Sequence, residues 1–363
     1  SARIQKEEVR NSSFKYPHIE SPDPLFELVD VERVVDLIRR LPYQTPTELV
    51  PGVTLTYHDA GHILGSAIIQ LDYEEQGRKR RFVFTGDLGR RNTGLLNDPA
   101  TIKDIDILVS ESTYGSRELD SYDRLMKQLH AILARAIRLQ SKIVIPAFSL
   151  GRTQRMIYCL QELFAFHKVR PIPVFVDSPL ATRLTEIHRE HPEAYTPQAR
   201  SLMDRDPTYF GPENVEFCMT WDQSRRLNHM HGPMVIISSS GMCEAGRIRH
   251  HLRHVVSDPD HAIVIVSYQA EGTLGRAISE GVERIQIFDQ WMDLNAAVYV
   301  LDGFSGHGDR NDLAWWFEQT GGGIEHAFLV HGDPESMEAL VEPLQPFVSN
   351  PVVLPELGSS YEV

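Results

Sequence analysis

Apolar positions along this chain recur at two different periods, and the switches between them mark out the elements. Over Asp30–Arg40, Val31, Val34, Val35 and Ile38 fall at helical spacing inside an otherwise charged first 50 residues. From Val53 the period shortens, and Val53–Tyr57, Ser66–Tyr73, Arg81–Thr85 and Asp106–Ser110 read as strands separated by turns. A long amphipathic helix is predicted over Tyr122–Leu139. Strand and helix then alternate: Lys142–Pro146 with helix Arg152–Phe166, Pro173–Val176 with Leu180–Glu190, and Met234–Ser238 with Glu244–Val255. After Gly303 come helix Asp309–Glu318, strand Ala327–Val330 and a last helix from Pro334. Such alternation is the grammar of a parallel α/β fold, in which functional residues gather at the carboxyl ends of strands.

Composition narrows the picture. Of 363 residues 42% are apolar and 24% charged, ordinary for a globular chain and far from disordered or collagen-like usage. No apolar run approaches the length of a membrane-spanning helix. Three separated cysteines, Cys159, Cys218 and Cys243, exclude a disulfide scaffold and a thiolate zinc knuckle, and a reducing, cytoplasmic compartment is expected. The net charge of −14 argues against nucleic acid only on average, because a local groove can be basic in an acidic protein. The chain opens on Ser1 with neither initiator Met nor signal peptide, so the expectation is a start inside a longer gene product.

Five segments place polar residues directly after a strand or in a Gly-rich turn. They are His58–Ser66, Thr85-Gly86-Asp87, Glu111–Gly115, Phe304–Asp309 and Val330-His331-Gly332-Asp333. Imidazole and carboxylate are the usual zinc ligands of an N/O site. Each segment alone is weak: a lone His near a turn is commonly structural, and Asp87 after Gly86 suits a simple turn. Five in this order, all at strand ends, make metal chemistry the better reading.

These segments resemble the β-CASP branch of the metallo-β-lactamase fold, the RNA-processing nucleases that include the cleavage-and-polyadenylation endonuclease and its bacterial relatives. Ala60-Gly61-His62 with Leu64-Gly65-Ser66, Phe84–Gly89 around Asp87, motif A at Glu111, motif B at Ser305-Gly306-His307 and motif C at His331-Gly332 carry the resemblance. Pro146-Ala147-Phe148, Gly151–Gln154, Val176–Ala181 and Ser239–Met242 extend it. The implied fold is a metallo-β-lactamase αββα sandwich, N-terminally incomplete, from 1–115 and 305–363, with a β-CASP α/β domain inserted at 116–304. The family's His-x-His-x-Asp-His run is missing. It would precede the segment at Ser1–Gln5, and His250-His251 lacks its spacing. The chain is then either part of an active enzyme or a protein without that half.

The resemblance implies that His62 ligates one zinc, that Asp87 bridges two and that His331 completes the second, with both zincs present only in the complete protein. Glu111 would orient a ligand histidine. His307, which is no ligand, would act as general acid or oxyanion stabiliser at the departing 3′ oxygen. Asp333, Pro334 and Glu335 suit an N-cap that pins His331. Phosphate of single-stranded RNA is expected at Ser239, Ser240, Gly241 and Met242, read as a turn opening a helix, at Arg247 on the basic helix behind it, at Arg152 and at Ser305. The alternatives are a solvated helix for Arg247 and a close-packed turn for Arg152. Arg78–Arg81 reads as solvated, and Trp315-Trp316 as core or interface. The expected activity is zinc-dependent hydrolysis of RNA by the complete polypeptide, this chain alone being inactive, with homodimerisation open. Rival readings are a pseudo-nuclease that binds RNA or a partner, a DNA nuclease of the same superfamily, and a small-molecule metallohydrolase.

Overall fold

The computed structural model describes residues 26–166, 169–205, 210 and 214–363. The Ser1–Gln5 segment invoked above lies outside them. Strands β1 (Thr47–Val50), β2 (Val53–Asp59), β3 (Ala67–Glu75), β4 (Arg78–Phe84) and β5 (Ile107–Glu111) come first. Then follow β6 (Lys142–Pro146), β7 (Val174–Asp177), β8 (Val215–Phe217), β9 (Met234–Ser238) and β10 (Ala262–Ile265). A hairpin of β11 (Arg284–Ile287) and β12 (Gln290–Asp293) precedes β13 (Ala297–Val300), and β14 (His326–Val330) closes the set.

Two six-stranded sheets result, in the orders β1-β2-β3-β4-β5-β14 and β13-β10-β6-β9-β7-β8. The second is parallel throughout, as the strand–helix alternation predicts, and its inner strands β10, β6, β9 and β7 are buried on both faces. In the first, β1 to β4 form an antiparallel meander, while β4, β5 and β14 run parallel. Alternate residues of that sheet, among them Ile68, Val83, Leu108 and Leu329, pack on Leu313, Trp316 and Phe317 of helix Arg310–Gln319 and on Leu340 and Leu344 of helix Pro334–Leu344. The opposite face carries Leu71, Tyr73, Phe82, Val109, Phe328 and Val330, which line an open groove that Tyr361 reaches from the C-terminal tail.

Helices Tyr122–Leu139 and Arg152–Phe166 match the predicted spans. The helix expected over Glu244–Val255 begins only at Ile248. Gly246, at φ +81° with Ser239 O pressed against its Cα, and the hydrogen bond from Ile248 N to Ser239 O turn residues 239–247 into a folded loop instead. Helix Leu28–Leu37 forms as the period predicts but buries none of its residues. Trp316 is core, its indole N–H donating to Ala100 O, and the half-buried Trp315 lies under Arg91. Arg78 and Arg80 pair with Glu325, and Arg81 with Asp72, so that run is more than solvated. No helix among the described residues is long and apolar enough to cross a membrane.

Candidate active site

Three neighbouring parallel strands end at one edge of the first sheet. Val330 of β14 pairs with Glu111 of β5, and Phe84 of β4 with Val109, so Asp87, Glu111 and His331 emerge side by side. His62 arrives from the loop after β2. That loop meets the Asp87 loop backbone to backbone: Gly89 N donates to Ala60 O, and a Cβ on Gly89 would stand 2.1 Å from Gly61 O. Only glycine permits that approach.

Asp87 faces two histidines with different oxygens. Oδ2 lies 3.7 Å from His62 Nε2 and Oδ1 lies 3.4 Å from His331 Nδ1. Two ligands about 2.0–2.1 Å from one tetrahedral zinc stand about 3.3 Å apart, so these separations are those of donors sharing a cation. His62 Nδ1 is buried without a hydrogen-bond partner, and burial, then His307, pushes the ring down to about 4, which keeps it the neutral imidazole a metal requires. The ligand atoms of His62, Asp87 and His307 lie within reach of one another, as do those of Glu111, His307 and His331, so the residues fit part of a zinc site at Asp87 and its neighbouring histidines. They fall short of two four-coordinate ions among the described residues.

The backbone at His331 is left-handed, φ +56°. Asp333 occupies the N-cap position and Pro334 follows at N1, yet the Asp333 side chain makes no capping bond. The turn is held instead by Thr113 Oγ1, which donates to His331 O at 3.1 Å, and by Ser112 Oγ, which donates to Val330 O at 2.7 Å. The expected cap is thus replaced by contacts from the loop after β5.

Glu111 is 1% exposed, and the histidine it contacts is His307. His307 Nδ1 donates to Glu111 Oε2 at 3.1 Å, while Leu88 N and Thr113 N donate to the same carboxylate. Burial pushes the His307 ring down, but Glu111 outweighs it, and the net shift is upward. Nδ1 being engaged, Nε2 is the atom left for the cleft. The His307 ring lies 4.4 Å from that of His62 and 5.8 Å from that of His331.

A cleft of about 600 Å³ opens over these groups, walled on its far side by Phe148, Arg152, Met242 and Tyr268 from the second sheet's loops. Arg152 Nε is buried there without a partner. Ser305 lines the cleft as well. The loop at Ser239–Met242 behaves differently from a phosphate cradle at a helix start. Ser239 Oγ donates to Ala147 O and Ser240 N to Ala245 O, Gly241 packs on Phe148, and Met242 reaches the cleft. Arg247 is buried rather than displayed: its guanidinium donates to Asp177 Oδ1 at 2.7 Å, Cys218 O at 2.9 Å and Met219 O at 3.0 Å. The carboxylate at the end of β7 claims it, so it is not a surface phosphate contact. Arg90 and Arg155, which pattern reading passed over, reach the segment that bears His307; Arg155 sits three residues after Arg152 on one helix, a spacing that places both on one face.

The Beta-Casp domain family matches residues 153–278, and the Zn-dependent metallo-hydrolase RNA specificity domain matches 291–355. Ribonuclease TTHA0252 of Thermus thermophilus is 34% identical over 320 residues, 88% of this chain and 71% of that protein. The transcription termination factor FttA of Methanosarcina mazei is 31% identical over 82% of this chain and 47% of its own length. An RNase J-like protein of Methanocaldococcus jannaschii is 30% identical over 84% of this chain and 69% of its own. The chain thus spans about half the length of the termination factor. With its two sheets, its strand-end histidines and carboxylates and these relatives, the chain belongs to the β-CASP family of metallo-β-lactamase-fold nucleases.

Proposed function

We propose that the complete polypeptide is a zinc-dependent ribonuclease that hydrolyses phosphodiesters of single-stranded RNA in the cleft between the two sheets. The observation that carries this reading is the single carboxylate of Asp87 turned toward two histidines beside a third, His307, that is held by Glu111. His62, Asp87 and His331 would hold zinc, which when bound supplies an activated water and positive charge for the phosphoryl oxygens. His307 gives its Nε2 proton to the departing 3′ oxygen; Glu111, fixed by Leu88 N and Thr113 N, keeps the ring in the required tautomer. Arg152 offers an unpartnered Nε to a phosphate entering the cleft, with Ser305 and Met242 beside it. Residues 1–115 and 305–363 would form the catalytic layer and 116–304 the insertion that clamps RNA. A small substrate would need no such clamp, and the histidine at His331 favours RNA over DNA.

Asp87→Ala should lose zinc and activity together. His307→Ala should keep zinc and RNA affinity while cleavage slows about 10²–10⁴-fold, and a substrate with sulfur at the bridging 3′ position should restore most of that loss. A metal-depleted His307→Ala protein would make His307 a ligand and overturn this division of roles. One observation favours a second reading, RNA binding without cleavage: the donors gathered among the described residues do not complete two sites. Cleavage of RNA by the full-length protein with added zinc decides between the two.

A further inference from the structure

The segment that carries His307 is gripped from both sides by buried arginines. Arg90, in the loop after β4, donates from Nη1 to Gly303 O and Asp120 O and reaches Asp309 Oδ2 at 3.3 Å and Asp312 Oδ2 at 3.4 Å. It therefore has carboxylates to neutralise it. Arg155 differs. It comes from helix Arg152–Phe166 beside the second sheet, is 4% exposed, and forms no ion pair among the described residues. Its Nη1 donates to Ser305 O at 3.0 Å and to Phe304 O at 3.4 Å, and its Nη2 to Thr93 Oγ1 at 2.9 Å. A buried guanidinium is costly without a counter-charge, so carbonyl dipoles that solvate it are drawn tightly to it. Those carbonyls belong to the two residues before Gly306-His307.

Beyond His307 the chain is fixed as well. Gly308 N donates to Leu88 O at 2.8 Å, and Asp309 caps helix Arg310–Gln319. Gly306 lies against the His62 ring, where a Cβ would come within 2.9 Å of Nδ1. The position of Ser305 O thus sets where the His307 ring stands relative to Glu111 and His62. That carbonyl is anchored to the insertion, through Arg155, and not to the sheet that bears the other site residues.

We propose that Arg155 is a positioning residue for His307: it ties the aim of the acid to the seating of the inserted α/β layer on the first sheet. The inference rests on the reading of His307 given above. Arg155 borders the cleft, but its guanidinium is taken up by the Ser305 and Phe304 carbonyls, with Thr93 as the second anchor of its fork, and it acts through them. A displacement of about 1 Å at a reacting group is enough for a loss near 10²-fold.

The test uses the full-length protein and the variants Arg155→Met, Arg155→Lys and Thr93→Val. Arg155→Met removes the donors together with the buried charge, a replacement of similar volume that folded proteins often accept. The expected result is unchanged zinc content and RNA affinity, with cleavage at saturating RNA lowered 10- to 100-fold. Arg155→Lys should recover part of this, and Thr93→Val should fall between Lys and parent. A second readout is independent of turnover: the side-chain ¹⁵N signals of His307, assigned by their loss in His307→Gln, report the Nδ1–H bond to Glu111. They should move in Arg155→Met and less in Arg155→Lys. Parent-like turnover and parent-like His307 signals in Arg155→Met overturn the proposal. If Arg155→Met does not fold, unchanged His307 signals in both Arg155→Lys and Thr93→Val overturn it equally. Should the parent fail to cleave RNA, the function proposed above falls, while the His307 signals still decide whether Arg155 positions that ring.

Discussion

Two histidines illustrate how a single residue's surroundings fix its chemistry. His331 holds φ +56°, a region that costs most side chains and that Asn enters readily. His331→Asn should therefore keep the fold, with a urea midpoint like the parent's, while zinc content of the full-length protein drops. His331→Val should lose about 1–3 kcal/mol as well, because a β-branched side chain is strained there. Parent-level zinc in the Asn variant would remove His331 from the ligand set. His188 is 1% exposed, its Nδ1 2.9 Å from Tyr195 Oη and its Nε2 buried without a partner. Burial, then His191, pushes it down to about 4. A folded value below the unfolded one, about 6.5, means that stability is full above pH 6.5 and is lost as pH falls toward 4. At pH 5 the loss is about 2 kcal/mol relative to pH 7. Urea melts of the parent and His188→Gln at the two pH values should show the variant less sensitive by that amount; equal sensitivity would refute the assignment.

At the scale of elements, the ends of β7 and β9 are locked to the helix Ile248–Val255 through one buried carboxylate. Asp177 accepts from Arg247, from His251 at 2.6 Å and from Ser224 Oγ, while Ser238 Oγ donates to the Asp177 carbonyl. Burial pushes that carboxyl up, but the bonds from His251, Ser224 and Arg247 outweigh it and hold it below the usual value. Its contribution is present above about pH 4 and is lost as pH falls below that. Arg247→Ala leaves the buried Asp177 with His251 and Ser224 but without its guanidinium partner, so it should lower stability by about 1.5–3 kcal/mol, and adding Asp177→Asn should return part of it. The salt dependence of RNA binding should stay at the parent's slope, since no phosphate contact is removed. A reduced slope with an unchanged urea midpoint would return Arg247 to the RNA surface.

For the whole molecule, the two sheets share one site but contribute to it unequally. The first supplies His62, Asp87, Glu111 and His331; the second supplies Arg152 and, through Arg155, a hold on His307. Asp87 with the two histidines that face it makes three donors, too few to fill two tetrahedral zinc shells. The 363-residue chain should accordingly bind fewer than two zincs by elemental analysis; two tightly bound zincs would refute this. With a net charge of −14, attraction of RNA has to come from the cleft, where Arg152 stands, and not from the surface at large.

The strand–helix alternation, the parallel second sheet and the strand-end location of Asp87, Glu111 and His331 were legible in the sequence, because hydrophobic period and chain order are local properties. The family resemblance was legible too, from short motifs whose spacing survives without a structure. Three matters were decided only by tertiary contacts. Arg247 looked like surface because basic residues follow it at helical spacing, yet Asp177, 70 positions earlier, buries it. That Glu111 meets His307 was not legible, since a side chain's direction depends on where a loop 196 residues away comes to rest. Arg155 carried no local signal at all: its partners are backbone carbonyls and one threonine, which any sequence would have supplied, and only the packing of two layers brings them within reach of its guanidinium.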